Sequence, residues 1–450
     1  MSATLLLAAV FGTLLLLVIL RMPVFLALIG SGLLGILLID GPQNIGHTVM
    51  RLLYDQPSRV ILAVLPMFIV MGVFAKNSRV SDQLFDLAGR LTRKFRANLA
   101  IATVLAGAGF GAISGSSTAA AAALGPMSIR AMREAGYYPA FAASVVGASG
   151  TLGILIPPSI LLVLYGIASG ESIGALLIAG IIPGLLTAVV YMVGISIVAR
   201  VRPEWAGLTV EALAAAKRND TTKPLGRDSL YGMLRVLALF GVVVGGIYSG
   251  LLTVSESAAY GALVAVIFHA YDRIKHIGFH DWKASFRQSC AESLNMTAMV
   301  FAILIGAAFI SYVIVISRLP ADFSEWAIGL DIPPWLLLVL FLAFLFPLGM
   351  ILDSTAIVLI CVPVMHPVMA SLGFDGIWFA ILFVKLLEIG LITPPVGINA
   401  FVVAGMVKDV KLERIFLVLA IFIPMELFTV SLIFFFPEIV TYLPDLMMSK

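Results

Sequence analysis

GASGTLGILIPPS, residues 147–159, and EIGLITPPVGIN, residues 388–399, each end an apolar stretch on two adjacent prolines, Pro157-Pro158 and Pro394-Pro395, 237 positions apart. At the same offset Ser117-Thr118-Ala119 falls on Ser354-Thr355-Ala356, Pro126 on Pro363, Met132 on Met369, Gly136 on Gly373 and Gly153 on Gly390. No gap is needed anywhere in this register. The repeated residues are helix breakers and small hydroxyls, the types that interrupt a helix inside a bilayer and expose backbone to an ion or solute. A proline has no N–H and frees a carbonyl one turn earlier, so a helix carrying two in succession breaks there. The chain therefore reads as an internal duplication built around two broken helices.

Composition identifies the solvent. Hydrophobic residues make up 61% and charged residues 12% of the 450, and the mean hydropathy is +1.09, values that exclude a soluble globule. Apolar runs of about 18 residues or more, enough to cross some 30 Å of hydrocarbon, recur from end to end. They predict spans near 4–20, 23–40, 58–76, 140–168, 173–199, 229–249, 254–271, 294–316, 377–406 and 414–436. Two further apolar segments, 98–135 and 333–371, are punctured by glycine and polar residues in the middle and read as re-entrant hairpins. The fold class expected is an all-α polytopic membrane protein. Its first repeat is 1–228, with hairpin 98–135 and broken helix 140–168. Its second is 229–450, with hairpin 333–371 and broken helix 377–406.

Charge orients these spans, because short cytoplasmic loops are rich in Lys and Arg. Loop 76–96 holds Lys76, Arg79, Arg90, Arg93, Lys94 and Arg96 against Asp82 and Asp86, and so belongs inside. Loops 130–138, 200–228, 272–287 and 408–414 then fall on the same side, each with at least two basic residues. The opposite side is acidic: Asp322, Glu325 and Asp331 against Arg318 in 318–332, and Glu438 and Asp445 against Lys450 after 436. Both termini are expected outside. Five crossings per half invert the second repeat relative to the first. The N-terminus lacks a basic leader before its apolar run and reads as a retained helix rather than a signal peptide. The net charge of +3 is explained by topology and implies no nucleic-acid partner. Cys290 and Cys361 match no pairing motif and read as buried thiols. The polar segment 201–228 reads as a solvated connector, with a short surface helix over 210–217 as the alternative.

Four places carry chemistry. Ser114-Gly115-Ser116-Ser117-Thr118 at the first hairpin tip combines glycine and small hydroxyls, which suits either oxygen coordination of a hard cation or a close packing seam between helices. Gly147 to Ser159 is the first break. Gly349 to Thr355 and Glu388 to Asn399 are their counterparts, with the symmetry broken by charge: Asp353 stands for Ser116, Glu388 for Thr151 and Lys385 for Ala148. Ionisable groups inside a bilayer are costly and mark function by default. Lys385 and Glu388 are three apart on one helical face, so they either neutralise each other or take part in binding. Glu426, deep in the last span beside Pro424, has no partner in the sequence.

AISGSSTA at 112–119, ASGTLGILIPPSI at 148–160, LDSTA at 352–356 and GLITPPVGIN at 390–399 together resemble the large membrane subunit of tripartite ATP-independent periplasmic (TRAP) transporters, and the resemblance covers essentially the whole chain. It implies a bacterial inner-membrane secondary transporter that uses a sodium gradient to import a carboxylate-bearing organic anion, such as a dicarboxylate or sialic acid. The implied partners are a small membrane subunit, here a separate chain because nothing precedes the first span, and a periplasmic substrate-binding protein. No cofactor is implied beyond sodium as the coupling ion. The implied mechanism is an elevator in which hairpins and broken helices slide against a scaffold. By position, one sodium site falls between Ser114, Ser117 and the carbonyls of Gly153, Ile156 and Pro158. A second falls between Gly349 and Gly390, Thr393 and Val396. The anion falls near Ser116, Ser117, Asp353, Ser354, Thr355 and Asn399. Two other classes compete: a stand-alone ion-coupled anion transporter needing no binding protein, and an intramembrane serine protease built on Ser149 of the GASG segment, which requires a histidine base, with His269 the only downstream histidine inside an expected span.

Overall fold

The computed structural model describes residues 3–207, 227–276, 279–319 and 332–448, with positions 321, 322, 325 and 329 between the last two stretches. The connector segment 210–217 and most of the connection 318–332 lie outside the described residues. Every described element is helical, as backbone placed in hydrocarbon requires when it must satisfy its own hydrogen bonds.

In chain order the helices of the first half are α1 Ala3–Ile19, α2 Val24–Asp55, α3 Val64–Lys76, α4 Val80–Leu91, α5 Asn98–Ser114, α6 Ser117–Glu134, α7 Pro139–Leu155, α8 Ile160–Ser169, α9 Ile173–Ala179 and α10 Ile181–Val201. The second half holds α11 Arg227–Phe240, which a π turn carries on to Tyr248, then α12 Val254–His276, α13 Phe279–Ile316, α14 Pro334–Ile351, α15 Ser354–Ser371, α16 Gly376–Ile392, α17 Ile398–Ala404, α18 Leu412–Leu419, α19 Phe422–Phe435 and α20 Glu438–Met448. Helices α6 and α15 begin and α7 and α16 end at positions that the 237-residue register superposes. The repeated residues have local causes. Both α6 and α15 terminate by the same device: Tyr137 N donates to the Met132 carbonyl at 2.9 Å and Phe374 N to Met369 at 3.1 Å, with Gly136 (φ 81°) and Gly373 (φ 85°) in the left-handed region between them. Ser116 and Asp353 cap the starts of α6 and α15, and Ser159 caps α8.

Two expectations are corrected. Segment 76–96 is not a simple polar loop, because Val80, Leu84, Phe85, Leu87 and Ala88 make one apolar side of α4, which is bent 64° from α3 and buried against α5 and α11. Segment 272–287 is largely helix, since α12 runs to His276 and α13 starts at Phe279. By length and apolarity, six helices among the described residues can cross a membrane, or up to eight when each bent pair is one span, against ten expected crossings. The expected span 4–20 is the shorter apolar helix Leu5–Ile19.

Long helices frame the molecule: α2, kinked at Gly41-Pro42, lies along α13, and α3 lies along α12. The remainder interleaves the halves. Helix α7 of the first half packs on α16 and α17 of the second, and α10 packs on α19. The two hairpins differ in placement. Outer arm α6 lies along its own broken helix α7, whereas α15 lies chiefly against α8 and α13.

Candidate functional site

At the first break α7 ends with Ile156 extended (φ −72°, ψ 122°), and chain direction resumes in α8 after a cis Pro157–Pro158 bond. Pro394–Pro395 is also cis. Where α5 and α7 stop, their last carbonyls have no helical donors, and the C-terminal ends carry partial negative charge that favours a cation.

Glycine lets the hairpin reach that break. A Cβ on Gly153 would lie 2.9 Å from the Ser116 carbonyl oxygen, one on Gly111 would lie 2.9 Å from Gly153 Cα, and one on Gly115 would lie 2.5 Å from the Pro158 carbonyl oxygen. Gly115 itself is left-handed (φ 62°), and its carbonyl accepts from Ile160 N at 3.3 Å, so the tip is clasped to the start of α8. Ser114, Ser117, Gly153, Ile156 and Pro158 are all buried here, with Ser116 half-buried. The fold thus brings Ser114, Ser116, Ser117, Gly153 and Pro158 into one place. Ile156 borders it, its side chain packed against Gly184 of α10.

The second break repeats the crossing, since a Cβ on Gly390 would lie 2.4 Å from the Gly349 carbonyl carbon. It is otherwise looser. Pro394 and Pro395 are exposed where Pro157 and Pro158 are buried, and among the described residues no bond from Gly397 N to the Leu352 carbonyl matches the Ile160–Gly115 clasp. Thr393 is buried, and its hydroxyl donates back to the Ile389 carbonyl at 2.5 Å, which uses its hydrogen and leaves the oxygen lone pairs and its own carbonyl for a ligand. Val396 is half-buried. Asp353 accepts from Thr355 N at 2.9 Å, so that carboxylate is partly used as a cap. Ser354 Oγ and Asn399 Oδ1 are buried without a hydrogen-bond partner among the described residues, while Asn399 Nδ2 donates to the Gly147 carbonyl at 3.1 Å. Buried polar atoms left unpaired are rare and mark places where a ligand or water completes the set.

A third feature was legible in the sequence only in part, as the Lys385–Glu388 pair. Lys385, Glu388 and Glu426 are fully buried and meet at one ammonium: Lys385 Nζ donates to Glu388 Oε2 at 2.7 Å, to Glu426 Oε2 and to Thr187 Oγ1 at 3.1 Å. Tyr191 donates to the other oxygen of Glu426. Glu426 is therefore the second partner of Lys385, joined across the α16–α19 contact. Two carboxylates share one ammonium, a formal deficit of one positive charge, and Glu388 Oε1 has no partner among the described residues. The hint in the sequence was Thr187 and Tyr191, two polar groups one turn apart in the apolar run of α10. Cys290 and Cys361 are both free, Cys361 buried and Cys290 half-buried.

The protease geometry is absent. Ser149 Oγ donates to the Val145 carbonyl of its own helix at 2.6 Å, and His269 Nε2 is 3.0 Å from Ser285 Oγ.

Among the described residues the chain is all-helical, with several helices long and apolar enough to cross a membrane, paired hairpins, two broken helices and glycine-mediated crossings between them. The chain belongs to the DctM family: residues 11–439 match the family model described as the tripartite ATP-independent periplasmic transporter, DctM component. It is 37% identical over 379 residues to the C4-dicarboxylate TRAP transporter large permease protein DctM of Pseudomonas aeruginosa, covering 83% of this chain and 84% of that one. It is 30% identical over 431 residues to the sialic acid TRAP transporter large permease protein SiaM of Vibrio cholerae, covering 95% and 96%. In fold it is similar to the YdaH transporter of Alcanivorax borkumensis, with a TM-score of 0.61 over 89% of each chain at 16% identity.

Proposed function

We propose that this chain is the permease subunit of a sodium-coupled importer of a carboxylate-bearing organic anion in a bacterial inner membrane, with both termini periplasmic. It works with a small membrane subunit and receives its solute from a periplasmic binding protein. The carrying observation is the pair of glycine crossings, Gly111–Gly153 and Gly349–Gly390, each of which sets the C-terminal end of a hairpin arm against the C-terminal end of a broken helix. Convergent helix C-termini and unpaired carbonyls suit a small hard cation bound by oxygen. One sodium is assigned to Ser114, Ser117, Gly153, Ile156 and Pro158, the other to Gly349, Gly390, Thr393 and Val396. The anion is assigned to Ser116, Ser117, Asp353, Ser354, Thr355 and Asn399, where capping hydroxyls and helix N-termini favour negative charge. Both hairpins and both broken helices move together as an elevator against a scaffold formed by the remaining helices. The named relatives handle a C4-dicarboxylate and sialic acid, which makes carboxylates the first solutes to test.

The test is uptake into proteoliposomes holding this chain and its small subunit, with a solute-loaded binding protein outside. Uptake is expected only with an inward sodium gradient and only with the binding protein. Uptake driven equally by a proton gradient alone would overturn the sodium assignment, and uptake without the binding protein would favour a stand-alone transporter.

A further inference from the structure

The buried cluster does more than neutralise charge. Thr151 and Glu388 occupy the same place in the two repeats, each two residues before the glycine that crosses a hairpin, Gly153 and Gly390. Those two positions are joined through the interior by an unbroken file of polar side chains. Thr151 Oγ1 lies 3.3 Å from Tyr191 Oη, Tyr191 donates to Glu426 Oε1, Glu426 Oε2 receives Lys385 Nζ, and Lys385 donates to Glu388 Oε2 at 2.7 Å. Every member is fully buried.

The hydrogen inventory gives the file a rigid centre and one adjustable end. An ammonium has three hydrogens, and Lys385 has three acceptors in Glu388, Glu426 and Thr187, so it has no freedom left. Tyr191 has one hydrogen, used on Glu426. The contact with Thr151 must then be donated by Thr151, which also has one hydrogen and a second acceptor in the Ala148 carbonyl at 2.8 Å. Thr151 thus has two discrete arrangements, one turned into its own helix and one tied to the file.

We propose that the Thr151–Tyr191–Glu426–Lys385–Glu388 file couples the two ion sites, with Tyr191 and Lys385 as positioning residues, so that an ion bound at one break prepares the other. This rests on the two-site sodium reading above. An ion at the first break orders the last turn of α7 and selects the Thr151 arrangement bonded to Tyr191. That bond joins α7 to the already fixed Glu426–Lys385–Glu388 centre, and through it to the turn of α16 that leads to Gly390. The second ion then meets a turn already ordered, which is positive cooperativity without a large structural change. A two-state element biased from both ends is what a coupling claim requires.

Equilibrium binding of radioactive sodium to the purified full chain tests this. Tyr191→Phe removes one hydroxyl and keeps the ring against Phe422, and Thr151→Val removes the other end, so neither depends on the fate of a Lys385 variant. The parent is expected to bind with a Hill coefficient approaching about 2, the number of sites, and both variants with about 1 at unchanged saturating occupancy. A purely structural role would lower stability and leave the steepness alone. Variants as steep as the parent would overturn the coupling, and so would a parent that binds two ions without cooperativity. A parent that binds no sodium would overturn the sodium reading itself, which separates the two failures.

Discussion

Asn399, just past the second break, reaches across the molecule and donates its side-chain amide to the carbonyl of Gly147, just before the first, at 3.1 Å. This bridge ties the start of α17 to the middle of α7, about two turns before that helix ends. Replacing Asn399 with Ala removes this hydrogen bond, at a net cost of about 0.5–1.5 kcal/mol. Thermal unfolding in detergent measures it. An unchanged melting temperature would show that the bridge contributes nothing.

Gly390→Ala separates close approach from glycine content. The new Cβ would meet Gly349 backbone at 2.4 Å, which no rotamer change relieves, so a loss of more than about 3 kcal/mol and of transport is expected. Gly89→Ala in α4 meets nothing within 4 Å and should leave stability unchanged or raise it by up to about 1 kcal/mol. Equal behaviour of the two variants in a melting assay would remove the Gly349–Gly390 crossing from the account.

Ser354 offers the opposite signature. Its Oγ is buried and unpaired, so Ser354→Ala should not destabilise the protein and could stabilise it by about 1 kcal/mol. If the hydroxyl serves the anion, the same variant raises the KM for solute in the reconstituted uptake assay. A destabilised variant with unchanged uptake would reverse both parts of this assignment.

Lys385→Met strands two buried carboxylates and should cost about 3–5 kcal/mol. Replacing all three charges with apolar residues, Lys385→Met with Glu388→Leu and Glu426→Leu, should recover most of that loss, since such triads contribute little net stability. A triple variant as unstable as the single one would mean that the cluster holds the fold for a reason other than charge pairing.

Much of this was readable from residues alone, and for local reasons. Proline, glycine and capping hydroxyls act on their own turn of chain, so Gly115, Pro157-Pro158, Gly136 and their counterparts marked helix ends within a residue or two. Glu426 was unreadable because its partner lies 41 positions away on another helix, a relation no spacing rule encodes. Lys385–Glu388 was readable, being three apart. Helix α4 was read as loop because its six basic neighbours dominated, although Val80, Leu84, Leu87 and Ala88 carry the helical period. The unequal breaks, one clasped and buried and one open, were also beyond the sequence, since both read as the same Pro-Pro motif.

Thermal stability of the purified chain with the proposed small subunit, in sodium against equal concentrations of potassium and choline, bears most directly on the proposal of two ion sites at the breaks. Sodium alone is expected to raise the melting temperature saturably, by about 2.7 kcal/mol of stabilisation at 100 times its dissociation constant. Gly153→Ala and Thr393→Pro, which disturb one site each, are expected to blunt the rise. Identical melting in all three salts would contradict the assignment of these breaks to sodium.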